Sequence, residues 1–78
     1  MNREDAEKIS QKVVEILENK RIANKVTKLK ISKDTGLSRT AITLIVNNQN
    51  SPTLRTLIMM ASSIGVDLKE IISEAEKK

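Results

Sequence analysis

This sequence predicts an all-α fold of five helices, and three observations predict it. Apolar residues recur at intervals of three and four along most of the chain, the spacing of helices with one buried side. Capping residues stand where those runs begin (Asn2, Thr27, Ser38, Asp67), and glycines stand where two of them end (Gly36, Gly65). No stretch offers a partner strand to any other. With 78 residues and no linker, repeat or low-complexity segment, residues 1–78 are expected to form a single domain.

The first helix is expected from about Arg3 to about Ala23. Asn2 caps it, and Glu4 and Asp5 suit the positive end of its dipole. Ile9, Val13, Ile16 and Leu17, with Val14 beside them, form its inward stripe. No Pro or Gly stops it, so Asn24 and Lys25 are the expected exit. Thr27 caps a short second helix, Lys28 to Thr35, with Ile31 turned inward. Gly36 follows where positive φ is wanted, Leu37 reads as a buried turn residue, and Ser38 caps the next helix.

The stretch SRTAITLIVNN, Ser38 to Asn48, is rich in β-branched residues and leans toward a strand by propensity. As a strand, both of its faces are mostly apolar. As a helix, Ala41, Ile42, Ile45 and Val46 fall on one side, and Arg39, Thr40, Thr43, Leu44 and Asn47 on the other. That split is amphipathic, with Leu44 as its one flaw, so the helix is preferred. Asn47 and Asn48 end it, because Asn tolerates left-handed backbone. Asn48 to Ser51 read as a polar loop. Ser51 is expected to cap a fourth helix with Pro52 in its first position. Leu54, Leu57, Ile58 and Ala61 make its periodic face, extended by Met60 and Ile64, and Gly65 ends it. Asp67 and Glu70 give a D-x-x-E pattern resembling a capping box. It opens a fifth helix from Leu68 to Ala75, about 68–76 with its fraying end, which runs out through Lys77 and Lys78.

Composition removes whole classes of function. There is no Cys and no His, hence no disulfide, no thiol or imidazole chemistry and no common zinc site. No cofactor or metal is expected, and no enzyme: only carboxylates and lysines remain for acid–base work. Capping explains Asp67 and Glu70, and solvent exposure explains Glu74. Without Phe, Tyr or Trp the chain has no stacking platform for single-stranded nucleic acid. No apolar run approaches the roughly 20 residues of a membrane span. The polar, acidic N-terminus is no secretory signal, so a cytoplasmic protein is expected.

The net charge of +4 is unevenly spread. Residues 1–19 carry three cations and five acids, −2, and residues 67–78 three cations and four acids, −1. Residues 40–66 carry Arg55 alone, +1. Residues 20–39 carry Lys20, Arg21, Lys25, Lys28, Lys30, Lys33 and Arg39 against Asp34 alone, +6. Clustered cations bind polyanions by releasing counterions from phosphate. A solvated lysine face is the other reading of the same cluster.

The most informative unit, about 28–47, is a helix, a tight turn at Gly36-Leu37-Ser38, and a second helix. Gly36 supplies the turn, Ser32 the small residue at the close approach, and Ile31, Leu37, Ile42 and Ile45 the inward positions. Here the chain resembles the phage repressor/Cro-type, or Xre-like, helix-turn-helix family. The resemblance covers about Lys20 to Ile72. It rests on TKLKISKDTGLSRTAITLI from Thr27 to Ile45, SPTLRTLIMMA from Ser51 to Ala61, and GVDLKEII from Gly65 to Ile72. The chain departs from the family pattern at Thr35, where an apolar residue is usual, and at Ser32, where Ala is usual. At Val46 many members carry an acid that pairs with an arginine matching Arg21. Arg21 therefore turns to solvent or phosphate, or finds another acid such as Glu18. The loop Asn48-Gln49-Asn50 lacks the usual Gly and cation, which leaves neutral hydrogen bonds for any phosphate contact there.

The resemblance implies a five-helix repressor-like domain whose third helix enters the major groove of double-stranded DNA. Arg39 is then placed either for a bidentate contact to guanine or for a phosphate. Thr40 and Thr43 reach bases or are surface filler. Leu44 meets thymine methyls or packs at the core edge. Lys28, Ser38, Asn47 and Gln49 are placed for phosphates. The resemblance also implies a homodimer through the last helix, using Ile71, Ile72 and Ala75. Closure of the chain's own core is the alternative for the two isoleucines. The implied function is a transcriptional regulator, a repressor acting by occupancy of a palindromic operator. The competing readings are an antitoxin or co-regulator that binds DNA and a protein partner, and a helical interaction module that binds no DNA.

Overall fold

The computed structural model describes residues 1–77, so the expected fraying at Lys78 lies outside the described residues. Five helices follow one another: α1 (Arg3–Ala23), α2 (Lys28–Thr35), α3 (Arg39–Val46), α4 (Leu54–Ile64) and α5 (Leu68–Glu76). Local chemistry sets their ends. Asn2 and Asp5 close a reciprocal capping box at the start of α1, satisfying two otherwise unpartnered N–H groups. Lys25, at φ 57°, turns the chain out of α1. Gly65, at φ 89°, ends α4 in the left-handed region that favours glycine.

Two boundary expectations are corrected. Ser51 and Pro52 do not open α4; Thr53 caps it, accepting the Thr56 N–H at 3.1 Å. Two adjacent helix-start signals compete there. Thr53 prevails because it satisfies Thr56 twice, its hydroxyl also donating to Thr56 Oγ1 at 3.0 Å. Asp67 caps α5 through the Lys69 N–H at 2.9 Å, one residue short of capping-box geometry.

α1 packs on α5, α4 and α3, α2 packs on α4 and α3, and α4 meets α5. The core has Leu17, Ile31 and Ile42 at its centre, joined by Val13, Val14, Ile16, Ile45, Met60 and Ile64. Ile71 and Ala75 are buried in this same core, at 3% and 8% exposure. The expected face of α4 needs a second correction. Met60, Ala61, Ser63 and Ile64 are buried, but Leu54 and Ile58 stay 64% and 51% exposed. The periodic pattern of α4 is wide enough to serve two sides.

Long-range polar contacts lock the helices. Asn24 Nδ2 donates to Ile64 O at 3.2 Å, tying the exit of α1 to the end of α4. Between α2 and α4, Lys30 Nζ donates to Asp34 Oδ2 at 2.7 Å and to Ser63 O at 2.9 Å, and buried Ser63 Oγ donates to Asp34 Oδ2 at 2.7 Å. The Lys30 ammonium, and next the Ser63 hydroxyl, hold the Asp34 carboxyl below its ordinary value of 3.8. A depressed folded-state pKa stabilises the fold above the unfolded value, and that contribution is lost as pH falls through the folded one. Thermal denaturation of wild type and Asp34→Asn should therefore differ at neutral pH and converge as the pH drops below 3.8. A gap that stays constant down to the acid limit of folding would exclude Asp34 as its source.

Candidate nucleic-acid interface

The unit α2–turn–α3 is built from its backbone outward. Thr27 Oγ1 accepts the Lys30 N–H at 3.0 Å and starts α2. Gly36 ends it at φ 79°, its N–H donating to Ser32 O at 2.9 Å. A Cβ on Gly36 would meet nothing within 4 Å, so backbone conformation and not space is what calls for glycine. Ser38 then caps α3, accepting the Ala41 N–H at 3.0 Å.

The two polar departures from the family pattern stitch this turn. Ser32 Oγ donates to Leu37 O, across the glycine. Thr35 Oγ1 donates to Ile31 O at 2.7 Å and accepts the Leu37 N–H at 3.2 Å. Both turn-facing groups of Leu37 are thereby satisfied, and its side chain packs half-buried against the core. Ile31 and Ile42, both at 0% exposure, fix α2 and α3 to the domain.

With Ile42 and Ile45 inward, α3 turns Arg39, Thr40 and its cap Asn47 to solvent, and Thr43 and Leu44 lie half-buried between the two sides. Val46 sits against the core as an apolar residue. Asn48 adopts φ 59°, and the Gln49 and Asn50 N–H groups return to Leu44 O at 2.8 and 3.2 Å. The loop thus curls over the end of α3 with the side chains of Asn48, Gln49 and Asn50 exposed. Its backbone donors at 49 and 50 are engaged, so only side chains remain there to meet phosphate.

The basic segment is not one uniform face. Arg21 pairs with Glu18 and donates from Nη1 to Val26 O at 2.9 Å, so the local acid replaces the missing one at position 46. Lys30 turns to Asp34 and α4. Lys28, placed by sequence on phosphate, is half-buried and donates from Nζ to Thr43 Oγ1 at 3.2 Å. Among the described residues, Lys20, Lys25, Lys33 and Arg39 are exposed and have no carboxylate within ion-pair distance. Sequence reasoning missed the links of Lys28 to Thr43 and of Lys30 to Ser63, because each joins residues far apart in the chain.

Two short helices around a glycine turn, the second with a polar outer side and unpaired cations nearby, define a DNA-binding helix-turn-helix domain. Comparison with known families gives a match to the helix-turn-helix family over residues 17–71, more than two thirds of the chain. The chain belongs to this family of repressor- and Xre-type DNA-binding regulators. No curated protein and no solved structure matches it. No helix among the described residues is long and apolar enough to cross a membrane.

Proposed function

We propose that the chain is a cytoplasmic, sequence-specific repressor that binds a two-fold-symmetric operator as a dimer and blocks transcription by occupancy. The observation that supports this most is α3 itself. Its apolar side is fixed by Ile42 and Ile45, while Arg39 and Thr40 are exposed at the N-terminal end, the end that points toward base edges when such a helix lies in the major groove. Arg39 reads guanine, Thr40 and Thr43 read base edges, and Leu44 meets a thymine methyl from the margin of the core. Ser38, Asn47, Asn48 and Gln49 hold phosphates through neutral hydrogen bonds.

The dimer reading shifts surface. Ile71 and Ala75 belong to the core of their own chain, which leaves Ile72 as the half-buried residue of the three first expected there. Ile72 lines an apolar groove with Leu54, Ile58 and Leu68, rimmed by Lys69 and Glu76. Lys69 and Glu76 lie equally far from the midpoint between Ile72 and Ser73. A two-fold axis at that midpoint, with α5 antiparallel to α5 of a second copy, sets each lysine opposite a glutamate. A protein partner in place of the second copy is the alternative occupant, and with it the chain acts as an antitoxin or co-regulator.

Selection of bound duplexes from a random library tests the function. Inverted half-sites centred about 34 Å apart are expected. A single unrepeated half-site would remove the homodimer, and no enrichment at low salt would remove the DNA reading. Leu54→Asp tests the groove. Leu54 is exposed and in the first turn of α4, where an acid suits the helix dipole, so the fold is expected to survive. Affinity for the paired site should fall at least about tenfold, the cost of a charge in an apolar interface. Unchanged affinity would place the interface elsewhere.

A further inference from the structure

Lys28 and Thr43 come from different helices of the motif, and their side chains meet at 3.2 Å, Nζ to Oγ1. A lysine ammonium has three protons and no lone pair, so the threonine hydroxyl is the acceptor. That hydroxyl has one proton and two lone pairs. With one lone pair on the ammonium, the proton and the second lone pair remain; the positive charge turns the proton away, polarises the O–H bond and opposes the approach of a further donor to that oxygen. Thr43 stands four residues after Arg39 and four before Asn47, in the row of α3 that joins these two exposed residues. Thr43 is only half-buried, so the hydroxyl stays within reach of a ligand on that side.

We infer that Lys28 is a positioning residue for base readout: its charge biases the Thr43 hydroxyl toward acting as a hydrogen-bond donor at the major-groove edge. The inference rests on α3 reading duplex DNA. A donor matches N7 and O6 of guanine, N7 of adenine and O4 of thymine, and it mismatches the amino group of cytosine. An unconstrained threonine rotates to suit either kind of edge and discriminates weakly. The charge of Lys28 adds to this, because its ammonium sits beside α3 and favours the acceptor-rich edge of guanine. Lys28 then contributes to which base is chosen, where its place in the basic segment alone suggests a phosphate clamp.

The test uses the full chain and the duplex recovered by selection, with all four base pairs placed at each half-site position in turn. Wild type, Lys28→Met, Thr43→Val and the double variant are titrated, and circular dichroism checks each fold. Wild type is expected to prefer guanine or thymine over cytosine at one position by about fivefold, the scale of one hydrogen bond. Lys28→Met and Thr43→Val should each flatten that same position, and the double variant should flatten it no further. Two outcomes would overturn the inference. In the first, Lys28→Met leaves every base preference intact, weakens all duplexes equally and flattens the salt slope by about one, as loss of a phosphate contact does. In the second, Thr43→Val flattens a position that Lys28→Met leaves intact. Failure of wild type to bind any duplex is a separate result that removes the DNA reading itself.

Discussion

Ile42→Ala should lower the melting temperature of this domain by more than about 10 °C, from a loss of roughly 2–5 kcal/mol for an isoleucine truncated in a closed core. Ile42 has 0% exposure, and it anchors the inward side of α3 in a core of Ile, Leu, Val, Met and Ala side chains. α3 has eight residues, too short to persist without packing, so the cavity is not absorbed by the helix itself. A chain of this length has a total stability on the order of 4–12 kcal/mol, of which the loss is a large part. Thermal denaturation followed at 222 nm measures it, with Thr40→Ala on the exposed side of the same helix as the control, expected within about 0.5 kcal/mol of wild type. Equal melting of the two variants would mean that Ile42 does not carry the α3 anchor. DNA binding by Ile42→Ala should fall for every sequence together, in step with the unfolded fraction.

The contrast between these two residues is legible in the sequence, because it follows from the period of one helix. The same holds for most helix ends: Asn2, Thr27, Ser38, Gly36 and Gly65 act within four residues of themselves, which is the range over which sequence pattern is informative. Where two local signals stand side by side, as at Ser51-Pro52 and Thr53, pattern alone points to the wrong one. Apolar periodicity has a different blind spot. It marks Ile71 and Ala75 as an apolar side of α5 but does not say whether that side meets α1 or a second copy; the structure buries them in the chain's own core. The charged segment shows a third. Seven cations in 20 residues read as one footprint, yet Arg21 and Lys30 are paired and Lys28 is turned to Thr43, so the exposed part is smaller and includes Arg39. The pairs Lys30–Ser63 and Asn24–Ile64 span 33 and 40 residues, and no local rule connects them.

Arg39→Ala should reduce affinity for the selected operator by roughly 1–3 kcal/mol per half-site, about five- to 150-fold, while binding to unrelated duplexes falls far less. Arg39 is the first residue of α3, exposed, and has no carboxylate within ion-pair distance among the described residues, so nothing in the fold diverts its guanidinium. Its removal leaves the core untouched, and the melting temperature should stay close to that of wild type, which separates this variant from Ile42→Ala. Loss of the same factor on every duplex, with a flatter salt slope, would make Arg39 a phosphate contact. Arg39→Lys sharpens the distinction. A lysine keeps the charge but cannot present two parallel N–H groups to guanine N7 and O6. If Arg39 reads a base, Arg39→Lys should retain the salt slope and the non-specific affinity of wild type and lose its sequence preference. If the contact is to phosphate, the lysine variant should bind the operator nearly as well as the arginine does.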